Sequence, residues 1–245
     1  MQKTAPSSLS PYRLYELSSK LAPWLLTGSI FVLLLAWVWG LGFAPTDSKQ
    51  QEGFRIIYFH VPAAMWSMGI YALMAVCAFV ALVWQNKVSE LLMIAMAPIG
   101  ATFTFIALST GSVWGSTMWG TWWEWDARMT SELILLFLYL GAIGLYYAFD
   151  NHQQAGKVVA ILVIVGVINL PIIHFSVEWW NTLHQPSTQL HQTINSAMRT
   201  PLRIAIIGYF ILFLALTALR FKTLLLQNSS RRGWQIESLL MKGRS

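Results

Sequence analysis

Six apolar runs, each close to twenty residues, constrain this chain more than any other feature. They lie at about 23–43, 61–84, 91–110, 130–149, 157–176 and 201–221. Crossing the roughly 30 Å hydrocarbon core of a bilayer takes about 20 helical residues. Lipid offers no water to a peptide group, and a helix satisfies its own backbone within one segment. The expectation is an all-α, polytopic membrane protein with six transmembrane helices, residues 1–245 forming a single six-helix membrane domain. Composition agrees: 11% of residues are charged, against about 25% in soluble domains. Pro98 and Gly166 fall inside runs, where neighbouring helices tolerate them. The N-terminal 22 and C-terminal 24 residues are too short and polar for a core of their own. The first run has the length of a span and no small-residue cleavage site, so it reads as a retained helix.

Orientation follows from lysine and arginine. With six spans, both tails and the connectors carrying Lys87 and Lys157 share one side, with eleven basic residues. The opposite side has five: Lys49, Arg55, Arg128, Arg199 and Arg203. The positive-inside rule then puts both termini in the cytoplasm. The net charge of +6 is thus read as an orientation signal, with no nucleic-acid partner expected. Cys77, the single cysteine, sits in an apolar run and reads as packing.

Two outer loops stand out, one over 111–130 and one over 177–200. The first contains W-G-S-T-M-W-G-T-W-W-E-W-D-A-R from Trp114 to Arg128, with five of the thirteen tryptophans. Indole collects at membrane–water boundaries, and one or two tryptophans would need no other reason. Trp114, Trp119, Trp122, Trp123 and Trp125 together offer about 750–1,250 Å² of buriable surface. A usual largest exposed apolar patch is about 300–600 Å². A flat apolar ligand or a partner surface is expected to cover them. Gly115 and Gly120 are expected to let the backbone approach such a ligand.

Counting spans puts His60, in F-H-V-P-A-A-M-W at the entry to the second helix, on this same outer face. His184, in W-W-N-T-L-H-Q-P within the 177–200 loop, joins it. Pro62 suits a first helical turn. Two imidazoles beside an aromatic platform point to a metal on a flat apolar ring, and heme fits: apolar walls, axial imidazoles, cations for the propionates. Arg55 and Arg128 are the outer-side cations near the two motifs. They can equally anchor to lipid headgroups or pair with Glu124 and Asp126. Asp126 is ill-suited to a propionate and is expected to orient Arg128 or an indole N–H, or to meet a partner. His191 is a reserve ligand, His174 a second donor or a packed polar group, and His152 a solvated connector residue. Ser131 and Glu132 read as capping and dipole residues at the start of the fourth helix. Neither a phosphate-binding glycine loop nor a Ser/His/Asp order appears, nor an intramembrane charge pair. The expectation is of no enzyme activity.

The run W-G-S-T-M-W-G-T-W-W-E-W-D-A-R-M-T-S-E-L-I-L resembles the "WWD" signature of heme-handling membrane proteins. With F-H-V-P-A-A-M-W before it and L-H-Q-P after it, the chain is similar to the CcmC (heme exporter protein C) family of bacterial cytochrome c maturation, from about residue 20 to 220. The resemblance implies His60 and His184 as axial ligands of a heme iron. It implies Trp114, Trp119, Trp122, Trp123, Trp125 and Asp126 as the platform at the porphyrin edge. The cargo it implies is heme b with ferric iron, held at the periplasmic face of the bacterial inner membrane. The implied partners are a membrane-anchored periplasmic heme chaperone, an ABC transporter's ATPase and membrane subunits, and a small single-span membrane subunit. Three rival readings stay open. A b-type cytochrome electron-transfer subunit would place histidines within helices. A permease would show broken helices near the midplane. A docking subunit would use the tryptophans against protein alone.

Overall fold

The computed structural model describes residues 11–184 and 194–229. The chain runs as α1 (Pro11–Gly42), a 3-10 turn (Glu52–Ile56), α2 (Ile57–Trp84), α3 (Lys87–Met118), α4 (Ala127–Ala148), α5 (His152–Gly166), α6 (Asn169–Trp179) and α7 (Ser196–Ser229). With α5 and α6 counted as one broken span, six helical segments are long and apolar enough to cross a membrane. No strand occurs among the described residues. The polytopic all-α architecture is therefore as expected.

The helices outrun the apolar stretches that announced them, because a run marks hydrocarbon whereas a helix also continues where side chains are wet. Thus α1 begins at Pro11 and α3 continues to Met118. Trp114 and Gly115, expected in a loop, are helical. Only 119–126 separates α3 from α4. Likewise α2 starts at Ile57, so His60 lies in a helix and Pro62 in its second turn. Of the expected 177–200 loop, 180–184 and 194–195 are described as non-helical. His191 lies outside the described residues, as do Lys3 and the basic residues of the C-terminal tail after Ser229.

Helix ends carry local chemistry. Asn86, Asp126 and Asn151 cap α3, α4 and α5 by accepting backbone N–H groups one turn ahead. Gln85 takes the left-handed conformation that ends α2, allowing a two-residue reversal into α3. The fifth span breaks between Gly166 and Asn169 for a sequence reason. Pro171 has no N–H for the carbonyl of Val167, which accepts from Leu170 instead. Asn169 stitches the break to its neighbour, donating through Nδ2 to Ser131 O at 2.9 Å.

In packing, α3 is the hub, with the most buried window of the six spans, and α2, α4 and α7 lie against it. α1 lies along α7 and scarcely touches α2. Trp24, Phe31 and Val38 of α1 are left exposed, as suits lipid-facing side chains. Lipid tails remove the hydrophobic drive between helices, so close approach at small residues and polar contacts must hold them. Gly100 of α3 meets the Tyr139 ring of α4, whose hydroxyl donates to Ser67 O of α2 at 2.7 Å. Trp66 Nε1 donates to Ile206 O of α7 at 2.9 Å.

The Gly100 contact yields a test. A Cβ there would lie 2.1 Å from Tyr139 Cζ, in a ring that is fully buried and tethered through its hydroxyl. Gly100→Ala is expected to cost about 1–3 kcal/mol by overpacking and to lower the midpoint of thermal aggregation in detergent. Gly144→Ala, with nothing within 4 Å of the new methyl, is expected to leave that midpoint unchanged or slightly raised.

Candidate functional site

His60 reaches its place from the first turns of α2. Its Nδ1 lies 3.0 Å from Ala107 O and 3.1 Å from Thr110 Oγ1, both on α3. A carbonyl only accepts, so Nδ1 must carry the proton. The Thr110 hydroxyl donates its own proton to Ile106 O at 2.6 Å and so accepts from the histidine. The lone pair is left on Nε2. A ring whose far nitrogen is pinned to a carbonyl is the usual arrangement of a metal-binding histidine. Gly111 permits it, since a Cβ there would come within 3.1 Å of His60 Cε1.

His184 arrives from the segment after α6, and its position is set through Asp126. One carboxylate oxygen, Oδ1, caps α4 by accepting from Met129 N at 2.8 Å. The other, Oδ2, accepts from the Thr182 hydroxyl. Thr182 Oγ1 in turn accepts the main-chain N–H of His184 at 3.0 Å. Asp126 therefore joins the start of α4 to the outer segment; among the described residues it makes no hydrogen bond to Arg128 or to an indole N–H.

The two imidazole rings lie with centroids 6.2 Å apart and planes inclined by 36°. A metal held about 2 Å from a nitrogen of each ring separates the centroids by roughly 6 Å. Trp114 stands edge-on to His60 at 5.6 Å, and Trp119 is tilted against His184 at 5.8 Å. The pocket between them is lined by both histidines, Ala64, Ala107, Leu108, Gly111, Trp119, Arg128, Met129 and Glu132. No group of three or more His, Cys, Asp or Glu side chains suited to a metal occurs among the described residues. Two neighbouring imidazoles suit an ion that brings further donors of its own, as a porphyrin iron does.

The other sequence candidates divide. Arg128 lines the pocket and donates through Nη1 to Ile173 O at 3.0 Å. Arg55 is not among the lining residues. Its Nη1 donates to Gly40 O at 2.7 Å and its Nε to Glu52, tying the end of α1 to the start of α2. Trp114 donates to Gln50 Oε1 at 3.0 Å. Trp123 packs on Trp125, and its indole N–H is buried with no acceptor among the described residues. Trp122 and Trp125 are 64% and 74% exposed. Gly115 makes room for Trp119 and the Thr121 carbonyl, and Gly120, at φ +75°, ends α3. Their smallness serves the turn itself. His174 is exposed on α6, against Phe175, and His152 stacks on Tyr146.

Comparison with known proteins follows the same lines. The family model for heme exporter protein C (CcmC) matches residues 6–236. Proteins named heme exporter protein C are similar along the chain. That of Escherichia coli (strain K12) is 57% identical over 244 residues, covering 100% of each chain. That of Haemophilus influenzae is 51% identical over 227 residues, covering 91% of this chain and 92% of its own. That of Bradyrhizobium diazoefficiens is 41% identical, covering 84% and 80%. The chain belongs to the heme exporter protein C family.

Sequence reasoning missed Glu132 and Thr182. Asp126 caps α4, so the helix begins at Ala127 and Glu132 falls in its second turn, 7% exposed. The Ser67 hydroxyl donates to Ala64 O at 2.7 Å and lies 2.8 Å from Glu132 Oε1. Arg128 and Glu132 are four residues apart on one helical face, and among the described residues they make no ion pair with each other. An Asp at N-cap position followed by Arg and Glu four apart was the available signal. Ser67→Ala is expected to leave the buried carboxyl short of its partner, at a cost of about 1–3 kcal/mol. Thermal unfolding in detergent measures it, with Ser67→Thr, which keeps the hydroxyl, expected to lie nearer the parent.

Proposed function

We propose that this protein binds heme between His60 and His184 at the periplasmic face of the bacterial inner membrane. It presents that heme to a membrane-anchored periplasmic chaperone for cytochrome c biogenesis. The observation that carries the reading is the pair of neighbouring imidazoles, 6.2 Å apart, with the His60 proton held on Nδ1. The relatives' name, heme exporter protein C, supports the same cargo. Heme b, with ferric iron, is carried and released, with no chemical turnover. The chain works as one six-helix membrane domain.

Each residue then has a distinct task. His60 and His184 supply the axial nitrogens. Trp114 and Trp119 wall the rings, and the apolar surface they cover contributes about 25 cal/mol per Å². Arg128 is the cation for one propionate, since no carboxylate pairs with it among the described residues. Arg55, already engaged with Glu52 and the α1 carboxyl end, is the second and weaker candidate. Asp126 holds the two outer segments together. Trp122, Trp123 and Trp125 extend the platform, and the exposure of Trp122 and Trp125 leaves an aromatic surface for the chaperone. An ABC transporter's ATPase and membrane subunits and a small single-span subunit complete the assembly. A nucleotide site in those partners matches the lack of a phosphate-binding glycine loop here.

Two measurements test this reading. Protein purified in detergent with its partners and supplied heme is expected to show a low-spin bis-imidazole spectrum, oxidised and reduced. His60→Ala and His184→Ala are each expected to lose that spectrum. Arg128→Ala is expected to keep it, with heme affinity lower by about 10–100-fold, the value of a charge-assisted hydrogen bond. A colourless parent, or histidine variants with unchanged heme content and cytochrome c assembly, defeats the proposal. For orientation, a fluorescent reporter fused after Ser245 is expected to mature in the cytoplasm. Alkaline phosphatase inserted within 44–51 is expected to be active outside, and the reverse pattern would put the site on the wrong face.

A further inference from the structure

Far from the histidines, toward the end of the bundle where α3 begins, α3 and α7 leave a groove of about 350 Å³ between them. Pro98, Ile99, Leu216 and Leu219 line it with apolar surface. Two threonines join them and spend their hydroxyls on their own helices: Thr102 donates to Pro98 O at 2.9 Å and Thr223 to Leu219 O at 3.1 Å. Arg220 is the charged member of the lining. It lies at the last turn of the 201–221 apolar run. Its Nη2 donates to the Tyr147 hydroxyl near the end of α4, and its Nε is buried with no acceptor among the described residues. No carboxylate pairs with it among those residues, and Glu90, the acid in the first turn of α3, is engaged by Lys87. From Thr223 back to Leu216 the groove follows α7 inward for about 10 Å. A cation thus stands where headgroups begin, and apolar walls continue from it into the hydrocarbon.

We propose that this groove binds an anionic phospholipid, with the phosphate on Arg220 and an acyl chain along Ile99, Leu216 and Leu219. The inference rests on the six spans and is independent of the heme-ligand reading. Charge within a span is costly until an opposite charge meets it, and a guanidinium presents a fork of donors suited to phosphate. A soluble anion satisfies the cation and leaves the apolar walls uncovered. A choline lipid covers the walls and brings a second cation beside the first. An anionic lipid answers both demands, as basic pockets between helices do for such headgroups. Through the Tyr147 bond, lipid held on Arg220 couples α3 and α7 to α4.

Full-length protein in detergent is titrated with dioleoyl phosphatidylglycerol or dioleoyl phosphatidylcholine, and native mass spectrometry counts the bound lipid. The parent is expected to bind one phosphatidylglycerol about tenfold more tightly than phosphatidylcholine, the value of a hydrogen bond to a charged group. Arg220→Gln is expected to abolish that preference. Tyr147→Phe, which breaks the bond to α4 and keeps the charge, is expected to retain it. Thr102→Trp fills the groove from an exposed position, leaves Arg220 in place and is expected to lose the preference too. It keeps the test available should Arg220→Gln accumulate poorly. A parent without preference, or an unchanged preference in either Arg220→Gln or Thr102→Trp, overturns the proposal. Displacement of phosphatidylglycerol by inorganic phosphate also overturns it, in favour of a soluble-anion site. In intact membranes a photo-crosslinking residue at Thr102 is expected to capture lipid, and capture of another protein chain instead makes the groove a protein interface and defeats the lipid assignment. None of these results alters the heme spectrum on which the histidine reading depends, so the two fail separately.

Discussion

A peptide group inside hydrocarbon has no water to bond, and this requirement governs the whole structure. It makes each of the six spans helical and confines irregular backbone to places where side chains or neighbouring helices supply the missing partners. The break between α5 and α6 shows the rule at work. Pro171 withdraws a donor, Leu170 serves the freed carbonyl, and Asn169 reaches across to α4. The outer segments between α3 and α4 and after α6 follow it too. Their loose ends are gathered by Asp126, Thr121 and Thr182, which bond to backbone or to one another.

Hydrophobic attraction between helices is weak where the solvent is itself apolar, so tight contact and polar stitching take over. Around α3 the two coincide. Gly100 admits the Tyr139 ring, the Tyr139 hydroxyl reaches Ser67 O, and the Ser67 side chain meets Glu132. These groups tie α2, α3 and α4 together immediately beneath the pocket, with Glu132 lining it. His60 stands on α2 and is braced by α3, while Arg128 stands on α4. The relative placement of imidazole and guanidinium is therefore fixed by the same stitching that holds the bundle together.

The two histidines that line the pocket are placed by different kinds of structure. On one side, a helix and a backbone carbonyl fix both the position and the tautomer of His60. On the other, His184 belongs to a non-helical segment tied to α4 through hydroxyl and carboxylate. Aromatic surface follows the same division. Trp114 and Trp119 are turned toward the imidazoles, whereas Trp122 and Trp125 are turned outward. Tryptophans that look alike in the sequence thus divide between positions against the imidazoles (Trp114, Trp119), exposed surface (Trp122, Trp125) and a half-buried place (Trp123).

The sequence by itself determined the six spans, because length and apolarity are local properties that lipid reads directly. It also determined that His60, the tryptophans and His184 share one face, since alternation of spans is a matter of counting. Their convergence to 6.2 Å between the two rings is a tertiary fact. It depends on which helices neighbour one another and on Gly111 giving the His60 ring access to α3. Helix ends were legible only roughly, because helices continue past the hydrocarbon that defines an apolar run, and Trp114 was misplaced for that reason. Glu132 and Thr182 were illegible as site residues. A carboxyl in a first turn and a threonine in a loop have ordinary local explanations, and only packing of α4 against α2 and of the outer segment against Asp126 gave them partners. Arg55 and Arg128 looked equivalent as outer cations until the fold bound one to the end of α1 and put the other in the pocket. Local chemistry names the candidates; the choice among them is made by distances between segments far apart in the chain.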